Sequence, residues 1–151
     1  KQMWAIRASS SLPLASKSLV VNGHTYLDGG VADSIPIRKS LADGNTKNVV
    51  ILTREEGYQK EPNRAIRLLK MRYPKSKAFV KKMANRHIRY NDTLAFLEKE
   101  EEEGRVFLIR PKEKVNVGRV EKNRSKLEAL YQIGLEDGRN SIAAMKEYLE
   151  R

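Results

Sequence analysis

Two short apolar runs in the first third of the chain predict strands. In SLVVNGHTYLDGG, apolar residues flank Asn22-Gly23, a dipeptide that favours a two-residue hairpin turn because both turn positions need positive φ. The second strand of this hairpin is predicted over residues 24–27, and it ends at Asp28. Further on, the continuous run NVVILTR at residues 48–54 predicts a strand that is buried on both faces of a parallel or mixed sheet.

A short helix is predicted between these strands, over IPIRKSLADG. Pro36 is tolerated in the first turn of a helix, and Gly44 follows its end. A strand, a helix and a strand in this order indicate an α/β layer.

The pattern changes to helical spacing from Pro62 onwards. NRAIRLLKMRYP predicts a helix with Asn63 as its cap and Pro74 as its stop. The segment SKAFVKKMANRHIRYNDTLAFLEKEEEEG predicts one continuous helix that ends at Gly104. Its apolar stripe consists of Phe79, Met83, His87, Tyr90, Leu94 and Leu97.

The last third of the chain predicts one strand and more helix. RVFLIRP gives a strand over residues 105–110, closed by Pro111. NRSKLEALYQIGLEDGRNSIAAMKEYLER predicts a final helix or a helix pair, capped by Asn123 or Ser125. Two internal glycines weaken this helix locally.

Composition limits the chemistry that the chain can carry. Its 151 residues allow one ordinary domain or two small ones. The chain has no cysteine, which excludes disulfides, thiolate catalysis and cysteine-based metal sites. Only His24 and His87 are available for a histidine metal site or a Ser-His-Asp triad, so no metal or cofactor is expected.

The formal charge of +11 is unevenly distributed. Twelve Lys and Arg against three Glu occur between Arg54 and Tyr90, whereas the signs nearly balance elsewhere. A solvated helix face is the plainest explanation, and contact with an anionic membrane is the second. Nucleic-acid binding is not expected, because stacking needs aromatic residues among the basic ones. Only Tyr73, Phe79 and Tyr90 are available there.

Asp28-Gly29-Gly30 is the strongest candidate for a functional motif. Glycine lets the backbone turn with positive φ and lets another group approach closely. An aspartate at such a turn can deprotonate or orient a neighbouring group. On these three residues alone, an aspartate that simply hydrogen-bonds its own turn explains the motif better than a catalytic group does.

The context of this motif resembles the patatin-like phospholipase family. ASSSLP at residues 8–13 resembles the Ala-Ser-x-x-x-Pro segment of these proteins, and the hairpin ending in YLDGG resembles their strand with its Asp-Gly-Gly motif. The following ADSIPI resembles the stretch with Asn or Asp and then Pro that comes after the motif. The segments VVILTR, FLIRP and VGRVEKNRSKLEALYQIGLEDG look like the tail of a bacterial subgroup, so the resemblance covers nearly the whole chain.

This resemblance implies the C-terminal part of a three-layer α/β/α catalytic domain over residues 1–57. A mostly helical C-terminal region with one strand would follow over residues 58–151. It also implies a serine hydrolase with a Ser-Asp dyad, which cleaves a fatty-acyl ester such as a phospholipid or lysophospholipid. Asp28 matches the dyad aspartate, and Gly29 and Gly30 match the turn that presents it.

The chain departs from the family pattern at the nucleophile. It contains no Gly-x-Ser-x-Gly elbow and no glycine-rich oxyanion loop; the nearest spacing, GLEDG, has Glu136 in place of the serine. We therefore expect the nucleophile upstream of Lys1 and an inactive fragment. A degenerate, inactive homologue is the alternative account. The alternative function is a basic α+β module that binds an anionic membrane or nucleic acid.

Several further residues are weaker candidates. Ser9, Ser10 and Pro13 are expected in a loop that lines the site, and Asp33 either stabilises the loop after the motif or caps a turn. His87 is expected to be a packed residue of the helical stripe. The absence of cysteine suits a cytoplasmic protein, and contact with the membrane surface is a further expectation. The sequence does not indicate an oligomeric state.

Overall fold

The computed structural model describes residues 2–118 and 121–151, and it is a mixed α/β structure in which helices predominate. Arg119 and Val120, which belong to the quoted tail segment, lie outside the described residues. The helices are α1 (Gln2–Ser9), α2 (Ile37–Ala42), α3 (Ile66–Arg72), α4 (Lys77–Ala84), α5 (Arg86–Glu102) and α6 (Arg124–Glu150). The strands are β1 (Leu19–Val21), β2 (His24–Tyr26), β3 (Asn48–Ile51) and β4 (Val106–Ile109).

The chain divides into two compact units. The first consists of Lys1–Pro36 and Gln59–Leu94, and the second consists of Ile37–Tyr58 and Ala95–Arg151. The predicted division into residues 1–57 and 58–151 stays a prediction. It separates a catalytic domain from the region that follows it, whereas the two units show which segments of the chain pack together.

The first unit contains the antiparallel pair β1–β2 and the helix pair α3–α4. Leu19 pairs with Tyr26 and Val21 pairs with His24, which confirms the predicted hairpin. The turn has the positive φ values that its sequence favours, 50° at Asn22 and 77° at Gly23. Leu69 of α3 is fully buried and anchors the helical part of this unit.

The second unit contains the parallel pair β3–β4, with Asn48 opposite Val106 and Ile51 opposite Ile109. The prediction that the strand at 48–54 is buried on both faces is wrong, because Ile51 is 71% exposed and Val49 is also exposed. The faces of a strand are covered by the elements packed on its sheet, and among the described residues these leave the side chains of Val49 and Ile51 exposed. Helix α6 packs against β4, and its buried Tyr148 lies against Phe107 with ring centroids 5.7 Å apart.

Tyr148 also joins the two strands at their first residues. Its hydroxyl accepts the Asn48 N–H at 2.8 Å and donates to the Arg105 carbonyl at 2.7 Å. Because Asn48 and Tyr148 are buried, this hydroxyl gives the Asn48 N–H a partner that water could not supply. Glu100 and Arg105 form a two-pronged ion pair in the same unit, at 2.5 and 2.8 Å.

Several predicted helix boundaries need correction. The predicted continuous helix from residue 76 to 104 is interrupted at Asn85, which separates α4 from α5. Asn63 does not cap α3, because that helix begins after Ala65. The side chain of Asn63 instead accepts the Ala65 N–H at 2.9 Å. Residues 2–9 form α1, so Ser9 ends a helix rather than lying in a loop.

Other boundaries agree with the sequence. Asn123 caps α6 by accepting the Lys126 N–H, and α6 runs unbroken through Gly134 and Gly138 as one helix. Helix α2 ends shortly before Gly44, whose φ is +87°. Within the described part of the chain, no helix is long and apolar enough to cross a bilayer.

Candidate functional site

The hairpin and its following turn position Asp28. Strand β2 ends at Tyr26, and Asp28 caps a single 3₁₀ turn formed by Gly29–Val31. One carboxylate oxygen, Oδ1, accepts the Gly30 N–H at 2.7 Å. The aspartate thus does hydrogen-bond its own turn, and this bond also fixes the direction in which the half-buried carboxylate points.

Gly30 leaves little room for a side chain at its position. A Cβ at residue 30 would lie 3.1 Å from Asp28 Oδ1 and 3.6 Å from a guanidinium nitrogen of Arg86. A Cβ at Gly29 would meet nothing within 4 Å. The second glycine of the motif is therefore the one that permits the observed carboxylate position.

The segment ASSSLP lies directly against this turn. The Asp28 N–H donates to the Ser11 carbonyl at 2.9 Å, and Ser11 is only 5% exposed. The Ser11 hydroxyl in turn donates to the Arg7 carbonyl of α1 at 2.8 Å. Two motifs that are separated along the chain by the whole hairpin are thus adjacent in the structure.

The weaker candidates occupy other positions. The hydroxyls of Ser9 and Ser10 are exposed and donate to carbonyls of α1, at 2.9 and 3.1 Å. Asp33 is exposed, and its Oδ1 accepts the Ile35 N–H at 3.1 Å. Pro13 is half-buried.

Asp28 is one of the residues that line a cavity of about 310 Å³. Leu27, Asp28 and Gly29 line one part of it, and the α3–α4 pair contributes Tyr73, Ser76 and Phe79. The rings of Tyr73 and Phe79 pack edge to face with centroids 4.9 Å apart. Ser9, Ser10, Pro13 and Asp33 are not among the lining residues in the described part of the chain. The arrangement combines one carboxylate with an aromatic wall, which suits a ligand that is partly apolar.

Arg86 holds the turn from the side of α5. Its Nε donates to the Gly30 carbonyl at 2.7 Å, and a terminal nitrogen donates to the Ser34 hydroxyl at 2.9 Å. Arg89, one turn further along α5, donates to the Val31 carbonyl at 3.1 Å. Sequence analysis missed both arginines; their spacing by three residues on a predicted helix was the only available signal.

The shifted pKa values in the described part of the chain belong to residues of the second unit. Hydrogen bonds from the Arg105 guanidinium hold the pKa of Glu100 below its ordinary value of 4.5. Hydrogen bonds from backbone N–H groups, at Glu55 itself and at Val115, lower the pKa of Glu55. The N–H groups of Asn123 and Lys122 do the same for Glu121. These groups stabilise turns and ion pairs.

Two other features bear on chemistry. Gly134 and Gly138 lie inside α6, so GLEDG is a helix segment and not a nucleophile elbow. Among residues 2–118 and 121–151, no cluster of three or more His, Asp or Glu side chains could hold a metal ion.

Almost all of the net charge belongs to the first unit. It contains fourteen Lys and Arg against four Asp and Glu, a net +10 of the chain's +11. Helix α3 also exposes two apolar side chains three residues apart, Leu68 at 50% and Met71 at 74%.

Comparisons with known proteins give relatives without an assigned function. Residues 76–150, which include α4, α5, β4 and α6, match the model of a family described as a domain of unknown function, DUF6363. The protein is 29% identical over 153 residues to the "Uncharacterized protein YjjU" of Escherichia coli (strain K12), an alignment that covers 99% of this chain. The chain spans 43% of that relative's length. No solved structure matches.

Proposed function

We propose that this chain supplies the aspartate of a Ser-Asp dyad, Asp28, to a patatin-like acyl-ester hydrolase. The observation that carries the proposal is the hydrogen bond from the Asp28 N–H to the Ser11 carbonyl. It brings together the Ala-Ser-x-x-x-Pro and Asp-Gly-Gly segments whose ordered occurrence resembles that family. Asp28 also lines a cavity with an aromatic wall. Residues 1–57 would then be the C-terminal part of a three-layer α/β/α domain.

The substrate would be a fatty-acyl ester, such as a phospholipid or lysophospholipid. The nucleophilic serine would come from residues outside these 151, since no Gly-x-Ser-x-Gly occurs among them. A serine hydroxyl is a weak nucleophile until a base takes its proton. A carboxylate has about four acceptor positions, so Asp28 can keep its bond to Gly30 and accept this proton as well.

The reaction would proceed in two balanced steps. The serine oxygen attacks the ester carbonyl carbon while its proton passes to Asp28, and that proton then leaves with the alcohol. Water next attacks the acyl-serine, gives a proton to Asp28 and releases the carboxylic acid, and the proton returns to the serine oxygen. Asp28 thus acts first as base and then as acid in each step.

The experiment is the substitution Asp28→Asn in the longer polypeptide that carries a serine elbow. Asparagine keeps an oxygen that can accept the Gly30 N–H, so the turn should persist while the base is lost. We expect hydrolysis of para-nitrophenyl butyrate and of lysophosphatidylcholine to fall by about a thousandfold. The matched control is Asp92→Asn, which removes one exposed carboxylate from α5. Equal activity of the Asp28→Asn and control proteins would refute the assignment.

A second candidate function, contact with an anionic membrane, is favoured by the exposed pair Leu68 and Met71. Arg64, Arg67 and Arg72 accompany this pair on or beside α3. Such a combination of apolar and basic side chains suits the interface of a bilayer with anionic lipids, where each basic residue contributes about 1 kcal/mol.

Sedimentation with vesicles tests this second function. Vesicles of phosphatidylglycerol should bind the chain, and vesicles of phosphatidylcholine should not. Leu68→Ser with Met71→Ser should weaken the binding without unfolding, because both side chains are exposed. A salt-sensitive gel shift with single-stranded DNA, unaffected by these two changes, would instead favour nucleic acid.

A further inference from the structure

A second cavity, of about 500 Å³, lies in the α3–α4 helix pair. Its apolar lining comes from Ile66 of α3, from Tyr73 and Pro74 of the connecting turn, and from Val80 and Ala84 of α4. Its volume falls within the range of about 300–1,000 Å³ that is usual for small-molecule sites. The walls are therefore suited to a hydrocarbon group.

Three lysines line the same cavity: Lys70, Lys77 and Lys81. No acidic residue lines it, and none of the three ammonium groups forms an ion pair within the described residues. Lys77 and Lys81 are also four residues apart on one helix, a spacing at which like charges repel. An anion held among these groups would relieve that repulsion, and it would do so beside an apolar wall.

We propose that this cavity binds an anionic amphiphile, a molecule with one alkyl chain and a carboxylate or phosphate head. The alkyl chain would lie against Ile66, Val80 and Ala84, and the head would contact the three lysines. Charge complementarity selects this occupant over a neutral or cationic amphiphile. The walls select it over a free anion, because each buried methylene strengthens binding by about fourfold.

The site is distinct from the cavity that Asp28 lines, although Tyr73 lines both. The proposal does not depend on ester hydrolysis, since it requires only the α3–α4 pair and its lysines. Binding should therefore be unchanged in Asp28→Asn, whatever that substitution does to activity. This separates a failure of the hydrolase assignment from a failure of the amphiphile site.

Calorimetric titration of the 151-residue chain tests the proposal, with dodecanoate and dodecyl phosphate below their micelle concentrations. Both should bind with one site per chain, and decanoate should bind about fourfold weaker for each missing methylene. Dodecyltrimethylammonium, acetate and inorganic phosphate should not bind measurably. If dodecanoate binds and dodecyl phosphate does not, the cavity is a fatty-acid site. If only dodecyl phosphate binds, the cavity is a site for lipids with a phosphate head. Either result supports the proposal.

Matched variants locate the site. The triple substitution Lys70→Gln, Lys77→Gln and Lys81→Gln should lower dodecanoate affinity by about tenfold or more. The control is Lys17→Gln, Lys75→Gln and Lys82→Gln, which removes the same charge from exposed lysines outside the cavity. It should leave the affinity within about twofold, since these side chains do not line the cavity and exposed charges without a direct contact are screened by salt. Ala84→Leu should shorten the longest chain accepted, because the added methyl groups take up cavity volume.

Two results would overturn the proposal. One is an equal loss of dodecanoate affinity in the cavity variant and in the control variant, which would show that only the net charge of the chain matters. The other is binding of dodecyltrimethylammonium as tight as that of dodecanoate, which would show an unspecific apolar surface. All three lysines are exposed, so the triple variant should keep its circular dichroism spectrum and melting temperature.

Discussion

The backbone N–H of Asp28 donates to the carbonyl oxygen of Ser11 at 2.9 Å, and this bond closes the chain segment that holds the β1–β2 hairpin. Because Ser11 is buried, its carbonyl would otherwise lack a partner, so the bond has a structural role of its own. It also fixes the backbone of Asp28 from the N-terminal side while Gly30 fixes its carboxylate. The aspartate is thus held at two points before any ligand is considered.

Replacing Gly30 by alanine should displace the Asp28 carboxylate. The new Cβ would lie 3.1 Å from Oδ1, closer than ordinary van der Waals contact, and the side-chain oxygen is the part that can move. We expect the hydrogen bond from the residue-30 N–H to lengthen, with little loss of stability. The amide proton resonance of residue 30 in the isotope-labelled chain should shift accordingly.

Gly29→Ala serves as the control for this measurement. No atom lies within 4 Å of a Cβ at residue 29, so the residue-30 amide resonance should stay near its original position. Equal shifts in the two variants would mean that the second glycine has no special role in positioning the carboxylate.

Arg86→Gln should loosen the turn that follows Asp28. The guanidinium donates to the Gly30 carbonyl and to the Ser34 hydroxyl, and glutamine is too short to reach both. Loss of hydrogen bonds to a charged donor should lower the free energy of unfolding by about 1–3 kcal/mol. Urea denaturation measures this change.

Arg64→Gln provides a comparison with the same loss of charge. Arg64 is exposed and forms an ion pair with the exposed Glu61 at 3.2 Å, an arrangement worth about 0–1 kcal/mol. If this variant were destabilised as much as Arg86→Gln, the turn contacts of Arg86 would not explain its effect.

Local signals in the sequence were enough to predict the hairpin, helix α2 and the cap of α6. Each depends on residues close in the chain: Asn22-Gly23 for the turn, Gly44 after a helix end, and Asn123 one turn before Lys126. The break between α4 and α5 carries no such signal, because Asn85 interrupts an otherwise continuous helical pattern without glycine or proline. The exposure of β3 depends on which elements pack over the faces of its sheet, which its own residues do not encode.

The same distinction holds for the candidate site. Asp28 and its two glycines are contiguous, so a pattern in the sequence indicates them. Arg86 and the aromatic wall at Tyr73 and Phe79 come from a distant part of the chain, and only the fold brings them to the turn. Periodicity predicted Phe79 as an apolar helix residue, and it gave no reason to place that residue beside Asp28.

Tyr148→Phe should destabilise the second unit. Without the hydroxyl, the Asn48 N–H and the Arg105 carbonyl lose their shared partner next to the core, while the ring still packs on Phe107. We expect a loss of about 1–3 kcal/mol in the free energy of unfolding. Tyr131→Phe removes the same atom from a side chain that is 62% exposed on the same helix, and it should change stability little. Thermal denaturation of both variants would test the difference.

Glu100 should make the stability of the chain depend on pH in the acid range. Hydrogen bonds from Arg105 lower the pKa of Glu100 in the folded state, so the unfolded state binds a proton more readily. This stabilisation is fully present above the ordinary pKa of 4.5 and is lost as the pH falls through the lower folded value. Glu100→Gln should therefore melt at a lower temperature than the parent at neutral pH, and the gap should close as the pH falls through the lowered pKa of Glu100.

Thermal denaturation at a series of pH values compares the parent with Glu100→Gln and with Glu98→Gln. Glu98 is about half exposed and lies 4.0 Å from Arg110, so its substitution should shift the melting temperature little at any pH. Glu55 and Glu121 keep their lowered pKa values in all three proteins. The stability that these two residues lose at low pH is therefore the same in each protein and cancels in the comparison. A gap between parent and Glu100→Gln that stays constant with pH would show that the pair with Arg105 contributes through packing and not through the charge of Glu100.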